Sequence, residues 1–186
     1  MKHESWSLSA SLPGAVMKNG IEWVAMPFHA LDPAVLYRIL ALRGSIFMIE
    51  QECLYQDLDG QDPQALHVVG VRPWGATGSR RATMFDVIAT ARILPPGVGF
   101  DDPSLGRVCL AQPFRQRGLG KTLLGFTVQV ARNTFPGMPL RMSAQAHLAN
   151  FYRAAGFVQV SEPYLEDGIP HIEMLLAPEK DTPYIA

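Results

Sequence analysis

Arg115-Gln116-Arg117-Gly118-Leu119-Gly120-Lys121-Thr122 decides how the rest of the chain is read. An apolar run, Val108-Cys109-Leu110-Ala111, precedes it, and a helix-like segment follows it from near Lys121. A turn that enters a helix gathers unpaired backbone N–H groups at one point, where the helix dipole also favours negative charge. Gly118 and Gly120 carry no side chain to block a close approach. The expected ligand is therefore an anion of the phosphate type. Two unrelated machines use nearly these letters. The Walker loop, Gly-x-x-x-x-Gly-Lys-Ser/Thr, matches at Gly120-Lys121-Thr122, but Arg115 stands where that loop needs its first glycine. The pattern Gln/Arg-x-x-Gly-x-Gly/Ala fits at every position from Arg115 to Gly120. An ordinary glycine-rich turn satisfies it too, so the flanking elements must decide.

Those elements fit one domain. The chain has 186 residues, of which 48% are hydrophobic and 18% charged, a globular rather than a disordered composition. The domain is expected over 21–178, with a loosely ordered leader at 1–20 and a tail at 179–186. Lys and Arg number 16 against 17 Asp and Glu, for a formal net charge of −1. That balance lacks the basic excess of a nucleic-acid binder, so no nucleic-acid partner is expected. No stretch reaches the roughly eighteen apolar residues of a membrane span, and residues 1–20 lack a continuous apolar signal region. The expected location is cytoplasmic, with no membrane partner. Cys53 and Cys109 lie far apart with no metal-like spacing, which predicts neither a disulfide nor a metal site.

Along the chain, residues 21–26 read as a strand. Asp32-Pro33 then supplies an N-cap and a first-turn proline for a helix carrying Leu36, Leu40, Arg43 and Phe47 on one stripe. Arg43 in that stripe is expected to snorkel or cap. Residues 50–63 form an acidic, turn-rich loop. Strands follow at 66–71 and 85–94, separated by a loop over 73–81, and a second loop over 95–103 leads to a central strand at 106–111. A helix is expected from Arg117 to Asn133, with Leu123, Leu124, Thr127, Val128 and Ala131 facing the core. A strand at 140–145, a short helix from His147 to Ala155 capped by Gly156, and strands at 157–160 and 171–176 complete the order. The sum is an α/β (α+β) domain, a mixed sheet with helices on both faces.

Several stretches outside the loop resemble one known family. Glu50-Gln51, Tyr55-Gln56-Asp57-Leu58-Asp59-Gly60, Ala91-Arg92, Gly106-Arg107-Val108, Ala144 to Tyr152 and Glu166 to His171 are similar to the ElaA-like branch of the GCN5-related N-acetyltransferases. The resemblance spans roughly 21–178 and is absent from the leader and from the 73–81 and 95–103 loops. It implies a mostly antiparallel sheet of six to seven strands, splayed between the fourth and fifth, here 106–111 and 140–145. It implies acetyl-coenzyme A as co-substrate. Cys109, Leu110 and Ala111 would bond the pantetheine arm, and backbone groups of Arg117, Gly118, Leu119, Gly120 and Lys121 would hold the pyrophosphate. Gln116 sits at the rim, Thr122 offers a hydroxyl, and Asn150 offers a further cofactor contact.

The implied reaction is direct attack of an amine on the thioester, through a tetrahedral oxyanion that needs a preorganised donor, expected near Ala111. Tyr152 is the expected acid for the departing thiolate. By spacing alone, Leu148, Phe151, Tyr152 and Ala155 form a helical stripe, in which a tyrosine is usually core with a tethered hydroxyl. The amine must lose a proton before attack, and Glu50, Glu52, His147 and His171 are candidate bases, His171 first because histidine titrates near neutrality. The acidic pairs Asp57/Asp59 and Glu166/Asp167 would attract a cationic amine or simply form solvated turns. The expected partners are acetyl-coenzyme A and a small amine or peptide, and a homodimer is compatible with the sequence. A catalytically silent acyl-coenzyme A sensor is the alternative reading.

Overall fold

The computed structural model describes residues 16–73 and 85–179. Nine strands form one sheet: β1 (Val16–Lys18), β2 (Ile21–Pro27), β3 (Leu66–Pro73), β4 (Phe85–Leu94), β5 (Ser104–Leu110), β6 (Leu140–Gln145), β7 (Val158–Gln159), β8 (Tyr164–Glu166) and β9 (Ile169–Leu176). The strand order is β1-β2-β3-β4-β5-β6-β9-β7, with β8 attached to β9. Helices α1 (Pro33–Arg43), α2 (Leu119–Thr134) and α3 (Ala149–Arg153) pack on it.

The strand count exceeds the six to seven expected, because two short hairpins close on turns that the reading above passed over. Asn19 and Gly20 have φ of 55° and 73°, which fits the turn type whose twist matches paired strands, and β1 thereby pairs with β2 ahead of the boundary expected at 21. Asp167 and Gly168, with φ of 50° and 80°, do the same for β8 and β9, where a plain loop was expected. The 73–81 loop lies, from residue 74 onward, outside the described residues.

Asp32 caps α1 as expected, its carboxylate accepting from the Ala34 N–H at 2.8 Å, with Pro33 next. The helix then widens into i→i+5 turns over Gly44–Glu50. α2 begins at Leu119 rather than Arg117, because Gln116 (φ 60°) and Gly118 (φ 77°) are both left-handed. Its Leu123, Leu124, Val130 and Ala131 are buried against β2 to β6 together with α3 and Phe157. Thr127 is buried without penalty because its hydroxyl donates to the Leu123 carbonyl at 2.8 Å. On the opposite face Ile39 of α1 packs with Leu31, Val69 and Val87.

One break in the sheet matters most. β5 and β6 run parallel and pair only at Ser104↔Arg141, whereas every other pairing is antiparallel. A bulge sits where the strands part: Thr90 faces Cys109 and Arg92 faces Gly106, so Ala91 alone opposes Arg107 and Val108, and Arg107 takes φ 51°. Bulges bend a strand and sharpen its twist. The bent end of β5 therefore diverges from β6 and opens a cleft through the sheet. Among the described residues, no helix is long and apolar enough to cross a membrane.

Candidate active site

The cleft has a volume of about 1110 Å³, slightly above the roughly 300–1,000 Å³ of small-molecule sites. At one mouth lies the turn into α2. A run of left-handed residues before a helix start points successive N–H groups into one hollow, a concavity suited to an anion. Gly118 is required there by its φ of 77°, since a side chain would be strained in that conformation.

Of the residues expected to meet the co-substrate, Cys109, Leu110, Gln116, Gly118, Gly120 and Lys121 line the cleft. Five do not. Leu119 is buried in the core. The Arg117 guanidinium lies over the Phe114 ring at 6.0 Å. Thr122 begins the helical ladder, its N–H donating to the Gly118 carbonyl at 3.3 Å. Asn150 is exposed and accepts from Arg153 at 3.1 Å. Ala111, expected beside the oxyanion donor, has its N–H donated to the Ile88 carbonyl at 2.8 Å. That N–H is committed to β4, so it cannot meet a ligand. Alternate residues of an antiparallel strand turn their polar groups to opposite edges, which leaves the Leu110 N–H facing the opening.

Tyr152 stands at the bottom of the cleft, 5% exposed, with its ring edge-on to Phe151 and Phe157. Among the described residues no group bonds its hydroxyl, against the tethered core tyrosine that helical spacing alone suggested. Burial pushes the phenol up to about 12, so it keeps its proton across the physiological range. The ring is buried while the unbonded hydroxyl opens onto the cleft, where an incoming group can meet it.

Across the splay, a polar face of the sheet forms the second chamber. Ser143 of β6 is the register partner of Glu173 of β9, Gln145 of His171, and Tyr164 of β8 of the same His171. Alternation buries Met142 and Ala144 on the other face. The Tyr164 and His171 rings stack at 6.3 Å between centroids. His171 Nδ1 lies 2.8 Å from the Ile169 carbonyl; a carbonyl only accepts, so Nδ1 bears a proton, which makes Nε2 the acceptor of the corresponding neutral tautomer. Gln145 bonds Gln51 at 3.0 Å, joining this floor to the wide-turn segment after α1. That segment brings Phe47 and Glu50 to the cleft wall.

Glu50 is held by Arg115 in a bidentate pair of 2.6 and 2.9 Å, and the Arg115 Nε donates to the Leu110 carbonyl at 2.9 Å. The Arg115 bond holds the Glu50 carboxyl below its ordinary range, which weakens it as a base. His147 and His171 line the cleft, and Glu52 does not.

A model of the acetyltransferase (GNAT) domain matches residues 89–177. ElaA of Escherichia coli is 36% identical over 156 residues, covering 83% of this chain and 95% of ElaA. The chain belongs to the GNAT acetyltransferases, in their ElaA-like branch. A UPF0039 protein of Synechocystis is 35% identical over 155 residues, covering 83% of this chain and 94% of that protein. The crystal structure of an acyl-CoA N-acyltransferase from Pseudomonas aeruginosa matches with a TM-score of 0.74 at 35% identity, covering 84% of this chain and 99% of that one. GNAT proteins use acyl-coenzyme A, and the residues here fit it: a left-handed glycine at the anion hollow, an open strand edge, and an unpartnered hydroxyl between them.

The ElaA-like Tyr55-Gln-Asp-Leu-Asp-Gly60 stretch proves to be structural. Arg43, expected to snorkel or cap, is 1% exposed and bonds Asp57 at 2.9 Å and Asp62 at 2.7 Å. Arg92 holds Asp59 at 2.6 and 2.8 Å and Asp62 at 3.1 Å. Arg107, from the β5 bulge, pairs with Asp57 at 2.8 Å and Asp59 at 3.2 Å. Three arginines meet three aspartates, so Asp57 is a buried member of an ion-pair network rather than part of a solvated turn, while Asp59 is held by Arg92 and Arg107 at the cleft wall. Burial alone would raise Asp59, but its bonds to Arg92 and Gln61 outweigh that and hold it at about 2. The sequence reading missed Arg115, Ser143 and Tyr164 as members of the site. For Ser143 the signal was present, as a polar residue alternating with buried ones along β6.

Proposed function

We propose that this chain is an N-acetyltransferase that moves an acetyl group from acetyl-coenzyme A to a primary amine of a small molecule or peptide by direct attack. The carrying observation is Tyr152: a protonated hydroxyl on a buried ring, without a protein partner, lining the same cleft as the turn into α2 and the polar chamber. In this reading the backbone from Arg117 to Lys121 binds the pyrophosphate. The splayed edge of β5 bonds the pantetheine, and the Leu110 N–H, not that of Ala111, faces the developing oxyanion.

His171 removes the amine proton through Nε2. Nitrogen then bonds to the thioester carbon; as the carbon–sulfur bond breaks, Tyr152 gives its proton to the leaving sulfur, and the second proton shed by the nitrogen as the amide forms returns through water to the Tyr152 oxygen. Glu50 stays ionised on Arg115. Because Arg115 also grips the Leu110 carbonyl, the pair supports this reading as a brace for the β5 edge.

The test follows free-thiol release from acetyl-coenzyme A across polyamines, aminoglycosides, amino acids and peptide N-termini. The proposal expects at least one amine to raise the rate well above hydrolysis. If coenzyme A binds and no amine raises the rate, the chain is a sensor instead.

A further inference from the structure

We infer that the acceptor amine carries a second positive charge, and that Glu166 on the β8–β9 hairpin is the counter-ion that selects it. This rests on the acetyl-transfer reading above and adds the substrate class. The Arg115 guanidinium is taken up by Glu50 and the Leu110 carbonyl. Arg141 is divided between two carboxylates, those of Asp102 and Glu173, both 3.0 Å or closer. Arg141 is thus engaged and does not line the cleft, so it is no counter-ion for Glu166. Glu166 has no cation partner at all among the described residues, and it lines the cleft.

Its bonding leaves it half used. Ser143 Oγ lies 2.6 Å from Glu166 Oε2 and 2.6 Å from the Tyr164 hydroxyl. The serine has one proton and an ionised carboxylate can only accept, so Ser143 donates to Glu166 and Tyr164 donates to Ser143. This chain fixes the carboxylate at the chamber mouth and leaves Oε1 for an incoming donor. The Tyr164 phenol is pushed up first by burial, and the charges of Glu166 and Glu173 add to the rise while the Ser143 bond opposes it; the negative field therefore reaches into the chamber. An acidic residue at a rim would be ordinary. Here the same cavity also holds the unpartnered, 5% exposed Tyr152, which marks it independently as built for a ligand. A monoamine would satisfy the reaction centre and leave the surplus carboxylate uncompensated, whereas a diamine answers both.

The experiment compares matched acceptors, 1,4-diaminobutane, butylamine and 4-aminobutyrate, by thiol release from acetyl-coenzyme A. In the wild-type protein kcat/KM is expected to fall in that order, with the diamine ahead of butylamine by about tenfold, the size of one charged hydrogen bond. In Glu166→Gln the diamine-to-butylamine ratio is expected to shrink toward one, and in Glu166→Lys to invert. Coenzyme A should raise the melting temperature of each variant as it does that of the wild type, because Glu166 sits on the β8–β9 hairpin and is no part of the turn into α2. Equal rates for diamine and butylamine in the wild type overturn the inference and leave acetyl transfer standing, and so does an undiminished ratio in Glu166→Gln. Thiol release that no amine accelerates, of these three or of the wider panel, overturns the transfer reading itself.

Discussion

Two polar regions lie on either side of β5, and they are built by opposite rules. Beneath α1, three arginines and three aspartates are matched charge for charge, and Arg43, Asp57, Asp62 and Arg92 are each 5% exposed or less. In the cleft, a phenol has no partner and a carboxylate at the mouth has no cation. The first region meets its own charges internally, although Asp59, Arg92 and Arg107 also reach the cleft wall. The second is open by comparison, and its unmet groups describe what should fill it. Arg107 belongs to the first region yet sits on the bulge that opens the second, so the network also holds the splay in place.

Substitutions on the two sides should therefore separate stability from function. The largest loss of stability is expected from Arg43→Ala, which takes from Asp57 and Asp62 the buried cation they share and leaves them only Arg107 and Arg92; breaking a buried pair costs about 3–5 kcal/mol, readable as a shifted denaturation midpoint. If Arg43→Ala unfolds at the wild-type midpoint, the network is not structural. Next comes pH. Asp59 is depressed to about 2 in the folded state and titrates near 3.9 when unfolded. The stability it contributes is complete above that unfolded value and is lost as pH falls toward about 2. Asp59→Asn should flatten the acid limb of the stability profile over that window.

On the cleft side the costs to folding are smaller. Gly118→Ala forces a side chain into a left-handed residue at about 1–2 kcal/mol, and coenzyme A should bind more weakly because the hollow shifts. Glu50→Gln removes an ion pair whose members are 41% and 36% exposed, so the loss of stability should stay within about 1 kcal/mol. Its effect should appear instead in kcat/KM, through the edge of β5 that Arg115 grips.

The same contrast explains what the sequence could reveal. The anion hollow was legible because its chemistry is local: Arg115 to Gly120 are consecutive, and glycine reports backbone conformation directly. The capped start of α1 and the buried stripe of α2 were legible for the same reason. Arg43 was visible as an oddity in an apolar stripe, but its partners come from a loop 14 and 19 residues on, and periodicity says nothing about how a loop folds back. Asn150 was carried by resemblance alone, and its side chain turns outward to Arg153. The two additional hairpins were readable in principle, since Asn19-Gly20 and Asp167-Gly168 are strong turn pairs; the short strands around them, β1 and β8, gave no alternation to accompany the signal.

Tyr152→Phe lies at the bottom of the stability scale and at the top of the functional one. Removing a hydroxyl that bonds nothing in the protein should leave the denaturation midpoint within about 0.5 kcal/mol of wild type. The decisive measurement is the rate of amine-dependent thiol release from acetyl-coenzyme A by this variant beside the wild type, with coenzyme A affinity measured on both. Affinity is expected to be unchanged and the rate lower by about 10²- to 10⁴-fold, the usual contribution of a positioned acid. An unchanged rate at unchanged affinity would contradict that role.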